Sequence, residues 1–420
     1  MSHGRRRFSS MSRVMLLLPT TTYRTKAFVD AALKLKVDVV AASEQPSTLA
    51  SRNPEGLITL DFANPELATL RAKEYATHYP VDAVIPVDEE TAVVAAHVAK
   101  ALKLDHNPIE TAITAKNKYL MREAFDRQGL NVPSFVLVSL DRVPHTLPNR
   151  VGFPCVVKPV FLSTSRGVMR ANNQEELKAA VKRLEGIVSD PNVAHRGGKL
   201  AREALFEEFV PGFEVAVEGL ITSGEFRSLA IFDKPDPLNG PFFEETIYVT
   251  PSRLAPDLQR QIIEATAQAT QAMGFRRGPV HAEVRVNENG AWVIEVAARA
   301  IGGLCSRALK FGDDISLEEL IIRHALGENV SSIQRERGAA GVMMIPIPRS
   351  GALREILGLV EARRVPFIED VVITAHLTQK IQPPPEGASY LGFIFSRADT
   401  PDQVERAIRD SHSRLEFVIE

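Results

Sequence analysis

The chain has 420 residues, too many for one core and enough for two or three domains. Apolar residues make up 45% and charged residues 24%, as in an ordinary globular protein, and the net charge of −2 offers no electrostatic footprint for nucleic acid or an anionic membrane. The two cysteines, Cys155 and Cys305, exclude a disulfide framework and a cysteine zinc site and fit a reducing cytosol, so a cytoplasmic location is expected. No apolar run approaches a membrane span.

The opening MSHGRRRFSSMSR is basic and lacks the apolar core of a secretory signal. Its Arg and Ser content is compatible with a transit peptide, but a disordered tail over 1–12 is the favoured expectation, with Met11 a second candidate start. VMLLL, Val14 to Leu18, has the continuous apolar character of a buried parallel strand. Thr25 is placed to cap a helix that buries Phe28, Ala31, Ala32 and Leu35. VDVVAA and LITLDF read as strands, 65–78 as a helix, AVIPV as a strand, and Asp88 as the cap of EETAVVAAHVAKAL. This alternation predicts a doubly wound parallel sheet, which binds ligands at the carboxyl ends of its strands. Thr20 to Thr22 and Asp88 to Thr91 sit at two such ends and are candidates for one wall of a substrate site, although helix capping is the commoner use of such residues. No GxGxxG follows the first strand, which disfavours a dinucleotide fold.

From Pro108 to Gly129 the pattern is helical, with Gly129 as C-cap, and it carries Lys116 and Lys118. Taken alone, both lysines read as a solvated face. FPCVVKP is an apolar strand interrupted by Lys158, and a lysine is costly to bury unless an anion meets it. The small polar turn LSTSRGV follows, whose N–H and hydroxyl groups suit phosphate oxygens. A helix NQEELKAAVKRLEG and a mobile loop DPNVAHRGGK come next. ALFEEFVPGFEVAVEGL reads as a strand to Val210, a Pro211–Gly212 turn, and a strand with Glu214, Ala216 and Glu218 on one face. FRSLAIFDK and FFEETIYVTPS continue an α+β sheet, and a helix spans about 255–273.

GPVHAEVRVNENGAWVIEVAARAIGG, Gly278 to Gly303, reads as a hairpin around an ENG turn. It brings Glu283 and Glu295, twelve positions apart, toward one point, where two anions repel unless a cation lies between them. Mg2+ takes one or two such carboxylates together with substrate phosphates. A solvated surface hairpin is the alternative. After Gly303 come a helix ISLEELIIRHALG, a strand GAAGVMMIPIP, a short helix over 352–360, strands VVITAHL and LGFIFSR, and a helix DQVERAIRDSHS.

Together, Lys118, Lys158, the Ser/Thr/Gly loop, EEFVPGFE and the Glu/Glu hairpin followed by Arg299 resemble, in order and spacing, the ATP-grasp carboxylate–amine ligases, closest to the L-amino-acid ligases that make dipeptides. GVMMIPIPRSG and YLGFIFSR are similar to the last part of the amino-acid-ligase members. The resemblance covers nearly the whole chain. It implies an ATP-grasp fold, α/β and α+β, with an α/β domain over 13–108, a nucleotide-binding region over 109–335 and a completing segment over 336–420. It implies that Lys118 and Lys158 hold ATP phosphates under a loop of Ser163, Thr164, Ser165 and Gly167. Glu207, Glu208, Phe209 and Val210 form the adenine hinge, with Glu207 accepting from the adenine amino group, and Glu214 takes the ribose. Glu283 and Glu295 hold Mg2+, or Mn2+ in its place, and Arg299 stabilises the transferring phosphoryl group. The family often has Asn two residues after the second metal glutamate, where this chain has Ala297.

His281 shares the face of Glu283 and is a candidate for contact with an acyl phosphate or for the base, a structural histidine being as common. Arg285 is a candidate for a substrate carboxylate, with an internal ion pair as the alternative. Glu244 and Glu245 are further candidates for the base or for amine recognition, and Gly302 and Gly303 for a close-approach loop at the substrate. The expected reaction joins a small carboxylate, such as an amino acid, to an amine through an acyl phosphate. The alternatives are a purine-pathway ligase, a carboxylase subunit without its own biotinyl lysine, and a nucleotide-binding module without turnover. A homodimer is the default expectation for assembly.

Overall fold

The computed structural model describes residues 12–142 and 150–420; the expected N-terminal tail lies, except for residue 12, outside the described residues. Strands Arg13–Leu17, Asp38–Ser43, Leu57–Thr59 and Ala83–Pro86 form a parallel sheet in the spatial order third, second, first, fourth. Both faces are buried, as a continuous apolar run requires. Met15 and Leu17 pack on Ala68 and Val94, while Val14 and Leu16 join a core that contains Leu317, Leu320 and Phe393 from far along the chain.

A second, four-stranded antiparallel sheet has the order Phe135–Ser139, Glu203–Glu208, Cys155–Pro159, Met169–Ala171, and is backed by the helix Gln174–Val188 through Leu177 and Leu184. The largest sheet has eight antiparallel strands. Its order is Gly290–Ala297, Gly278–Asn287, Phe213–Thr222, Glu225–Asp233, Ile247–Thr250, Ala339–Ile345, Gly392–Ala398 and Ile368–Ile373. The last three strands come from the C-terminal segment, so the chain returns to finish a sheet begun more than a hundred residues earlier.

Five local expectations are corrected. The helix expected over 108–129 is two, Ile109–Lys116 and Lys118–Arg127, because Asn117 turns extended and its side chain accepts from the N–H groups of Tyr119 (3.0 Å) and Leu120 (3.2 Å). That break puts Lys118 at a helix start, where its own N–H donates to the Val160 carbonyl at 2.8 Å. The loop expected to be mobile contains the helix Pro191–Gly197, capped by Asp190. The segment expected as a helix over 352–360 is a strand, Gly351–Leu357, before a one-turn helix Leu359–Arg363: Leu353 is buried against the C-terminal strand Glu416–Ile419 while Arg354 and Glu355 face solvent. Neither Thr25 nor Asp88 caps as expected. Arg24 precedes the helix Thr25–Leu35 and sends its buried guanidinium to the Val87 carbonyl (3.0 Å) and Glu318 (3.4 Å). Asp88 makes no side-chain cap bond; a 3-10 turn, Glu89–Thr91, leads into the helix Ala92–Ala101.

Candidate active site

A cavity of about 460 Å³ lies where the three large sheets meet. Every candidate residue except Thr20, Thr91, Gly167 and Glu244 lines it. Its floor is the hairpin Gly278–Ala297, whose strands pair so that Glu283 is directly opposite Glu295. A register shift follows between Glu283 and Val284, so the bulge re-aims the hairpin just past the two carboxylates.

The two acids have different surroundings. Glu295 accepts from Lys118 Nζ at 3.1 Å, and Lys118 also donates to the Leu162 carbonyl at 2.6 Å. Burial raises the Glu295 pKa, but the nearby Lys118, Lys158 and Arg299 outweigh it and hold the group below the usual carboxylate value. Burial opposes the charge of Lys118 as well, and Glu295 and Glu89 overcome it and push the ammonium pKa up. Glu283 lies 3.6 Å from Lys234 Nζ, and burial drives its carboxyl well above the usual range despite that lysine.

Lys234 sits between Glu214 (2.7 Å), Glu245 and Glu283, and oxygen atoms of these three glutamates lie within 4.8 Å of one another. Glu245 is held down at about 2, because the Lys234 charge and hydrogen bond outweigh the penalty of burial. A set of hard carboxylate oxygens at this spacing suits Mg2+. Ala297 contributes no ligand, yet Glu245 arrives from the segment before Ile247–Thr250 to add a third carboxylate beside Glu283.

Glu207 is not free to meet a nucleotide base through its carboxylate. It is 4% exposed, takes Arg122 at 2.8 Å and forms an ion pair with Lys158, which leaves the main chain as the open acceptor at this hinge. Burial lowers the Lys158 pKa, against the pull of Glu207. Glu208 and Phe209 fix the hinge by donating their N–H groups to Ser134 and Pro154 carbonyls, both at 2.9 Å. Two guanidiniums lie over the Phe209 ring, Arg170 at 4.2 Å and Arg285 at 4.9 Å from its centroid.

Arg285 takes the internal alternative rather than the open one. Its three nitrogens donate to Glu214 (2.9 Å), the Val210 carbonyl (2.6 Å) and the Leu238 carbonyl. A substrate carboxylate would have to displace Glu214, so Arg285 orients the hinge and Glu214.

His281 Nδ1 bonds to Glu218, whose second oxygen accepts from the Ile301 N–H at 3.1 Å, and Nε2 lies 3.9 Å from Glu283. Arg299 lies 3.6 Å from Glu89, which comes from the parallel sheet's edge of the cavity. Burial disfavours the Arg299 charge, and Glu89, Asp88 and Glu295 together push its pKa up. Glu89 is 8% exposed, its Oε2 has no hydrogen-bond partner, and burial raises its pKa despite Arg299. Gly302 and Gly303 line the wall beside Arg299; Gly303 has φ of 59°, and a Cβ there would come within 3.1 Å of the Phe393 ring.

The loop over the cavity has Thr164, Ser165 and Gly167 at positive φ (56°, 53° and 76°). It is pinned from the C-terminal segment. Gly167 N–H donates to the Pro385 carbonyl and Arg166 Nε to the Glu386 carbonyl, both at 2.8 Å, and the Glu386 carboxylate takes Arg183 in a two-point pair at 2.7 and 2.8 Å. Glu244 has its carboxyl raised by burial and an oxygen without a partner.

Sequence reasoning missed Lys234, Arg122, Glu218 and Glu386. Lys234 carried a usable signal, since LAIFDK places a lysine against an apolar strand as FPCVVKP does.

This architecture is an ATP-grasp fold. Residues 151–308 match the ATP-grasp domain, and 343–420 match the L-amino acid ligase C-terminal domain 2. It is 29% identical over 240 residues to alanine–anticapsin ligase of Bacillus amyloliquefaciens (54% of this chain, 50% of the relative). It is 27% identical over 259 residues to dapdiamide A synthase of Enterobacter agglomerans (58% and 59%). The chain spans about half the length of the curated relatives it matches. Among solved structures it is similar to an L-amino acid ligase from Bacillus licheniformis, with a TM-score of 0.81 and 26% identity over 98% of this chain and 99% of the other.

Proposed function

We propose that the protein is an ATP-dependent carboxylate–amine ligase that activates an amino acid or similar carboxylate as an acyl phosphate, joins it to an amine, and releases ADP and phosphate. The observation that carries this reading is the cross-strand pair Glu283 and Glu295 in a cavity that also gathers Lys118, Lys158 and Arg299. The named activities of the similar ligases support it. We assign 13–108 to an α/β domain that supplies the Glu89 wall, 109–335 to nucleotide binding, and 336–420 to completion of the large sheet. No helix among the described residues is long and apolar enough to cross a membrane.

A free carboxylate is a poor electrophile because its leaving group would be oxide. Transfer of the γ-phosphoryl group replaces that leaving group with phosphate, and such a transfer needs positioning and charge neutralisation more than a covalent residue. In this reading Lys118 and Lys158 grip the polyphosphate, the loop 163–167 covers it, and the hinge 207–210 offers main-chain groups to the base. Glu283 and Glu295, with Glu245 beside them, hold Mg2+, which when bound neutralises phosphate charge. Arg299 faces the transferring phosphoryl group. His281, its Nδ1 committed to Glu218, presents Nε2 to accept a proton from the attacking amine. Glu89, ion-paired with Arg299 but with no hydrogen bond to its Oε2, suits the ammonium of an amino-acid substrate.

Phosphate release measured over a panel of single amino acids and pairs tests the reading. Release that requires a particular carboxylate, with a condensed product found by mass, is expected. Nucleotide binding without turnover on any pair would overturn it.

A further inference from the structure

Lys234 follows the strand Glu225–Asp233 directly and is 8% exposed. Three segments deliver carboxylates to its ammonium: Glu214 at 2.7 Å, Glu245, and Glu283 at 3.6 Å. The Tyr248 ring centroid lies 5.2 Å from Nζ. None of the roles assigned above uses this lysine.

Resting on the ligase reading, we infer that Lys234 is a positioning residue: a built-in counter-ion that gathers the metal-binding carboxylates and makes their capture of a divalent ion depend on the arrival of the nucleotide. Three carboxylates with oxygens within 4.8 Å of one another repel strongly without a cation among them. Arg285 answers Glu214 at 2.9 Å, and Lys234 answers what remains. At most three anions face two cations here, so the net charge is no more than a single negative one. That is too little to hold a free divalent ion firmly. Phosphate oxygens bring the missing charge and ligands, as Mg2+ sites that rely on one or two carboxylates require.

The three contacts are unequal, and the inequality gives a direction. Glu283 makes the longest of them, so it is the carboxylate Lys234 cedes when an ion enters, while Glu214 and Glu245 keep the lysine anchored. A lysine suits this use because its compact charge on a flexible stem can withdraw a short way without breaking a planar pair.

The test is Mn2+ binding to the full chain without nucleotide, read from the EPR signal of free Mn2+, in the wild type, Lys234→Met, Lys234→Arg and Glu283→Gln. Lys234→Met should bind Mn2+ about tenfold more tightly or better, as removal of a unit charge beside the ion implies. Lys234→Arg, which keeps the charge, should stay near the wild type. The gap in Mn2+ affinity between the nucleotide-free protein and its complex with a non-hydrolysable ATP analogue should narrow in Lys234→Met. If that variant does not fold, Lys234→Gln, neutral but still able to hydrogen-bond the carboxylates, carries the same expectation. Unchanged nucleotide-free affinity in the neutral variants, with Mn2+ binding to the analogue complex weakened by Glu283→Gln, would overturn the role of Lys234 and leave the metal assignment standing. Mn2+ binding to the analogue complex that is indifferent to Glu283→Gln would remove the metal assignment and this inference with it.

Discussion

Glu283 and Glu295 face each other across one antiparallel pair, yet each answers to its own lysine, Lys234 at 3.6 Å and Lys118 at 3.1 Å. The pair is therefore divided between two charge environments rather than shared. Against the penalty of burial, Lys118 together with Lys158 and Arg299 holds the Glu295 carboxyl below the usual range, so its loss should be felt most directly in metal-dependent turnover. Glu295→Ala is expected to lower Mg-dependent phosphate release about a hundredfold or more, in the range found for losing one group that stabilises transferring charge. The buried Lys118 would keep only the Leu162 carbonyl, so a lower melting temperature is expected beside the loss of turnover. Turnover unchanged across a magnesium titration would take Glu295 out of the site.

Arg299→Ala tests a group that acts on the transferring phosphoryl rather than on nucleotide binding. Turnover should fall about a hundredfold or more while the KM for ATP moves only a few-fold. The reason is positional: Arg299 pairs with Glu89 and makes no hydrogen bond or ion pair with the hinge residues Glu207 to Val210. Parallel losses in kcat and in ATP affinity, measured by initial rates and by direct nucleotide titration, would reassign Arg299 to holding the ground state.

What the sequence makes legible depends on how locally each signal is written. Period-two alternation around an ENG turn is complete within twenty residues, and it led to the opposed pair Glu283 and Glu295. A lysine inside an apolar strand is also a local conflict, and it exposed Lys158. Arg122 offered no such conflict: a basic residue on a helix is ordinary until its partner Glu207, 85 positions on, is seen beside it. The pinning of Arg183 by Glu386 spans 203 positions and leaves no local trace. The helix break at Asn117 was masked because the apolar spacing runs on without Gly or Pro, and only the side-chain cap decides it. Arg285 shows the opposite failure, a residue whose face was read well and whose partner, Glu214, could not be.

The triad of Arg122, Glu207 and Lys158 is buried, with all three residues at most 4% exposed. Breaking a buried ion pair by removing one partner costs about 3–5 kcal/mol, because the other charge is left without compensation. Glu207→Gln leaves two cations facing each other and should be the most damaging single change here. Arg122→Met leaves Glu207 with Lys158 and should cost less. Urea midpoints for the two variants check the order; equal shifts would mean that Lys158 does not share the load.

His324 gives the fold a dependence on pH that is separate from the cavity. It is 2% exposed, and its Nε2 lies 2.9 Å from Thr222 Oγ1. Burial lowers its pKa to about 4, helped by the charges of Arg277 and Arg227 and opposed by Asp105. In the unfolded chain an imidazole takes up its proton near pH 6.5, so between about 6.5 and 4 the unfolded state binds more protons than the folded one. The stabilisation is therefore complete above pH 6.5 and drains away as the pH falls toward 4, to a total on the order of 3 kcal/mol. Unfolding midpoints measured from pH 7.5 down to 4.5 should fall steadily in the wild type and more gently in His324→Gln, which can keep a bond to Thr222 but cannot titrate. Identical slopes in the two proteins would place the acid sensitivity of this fold in its carboxylates instead.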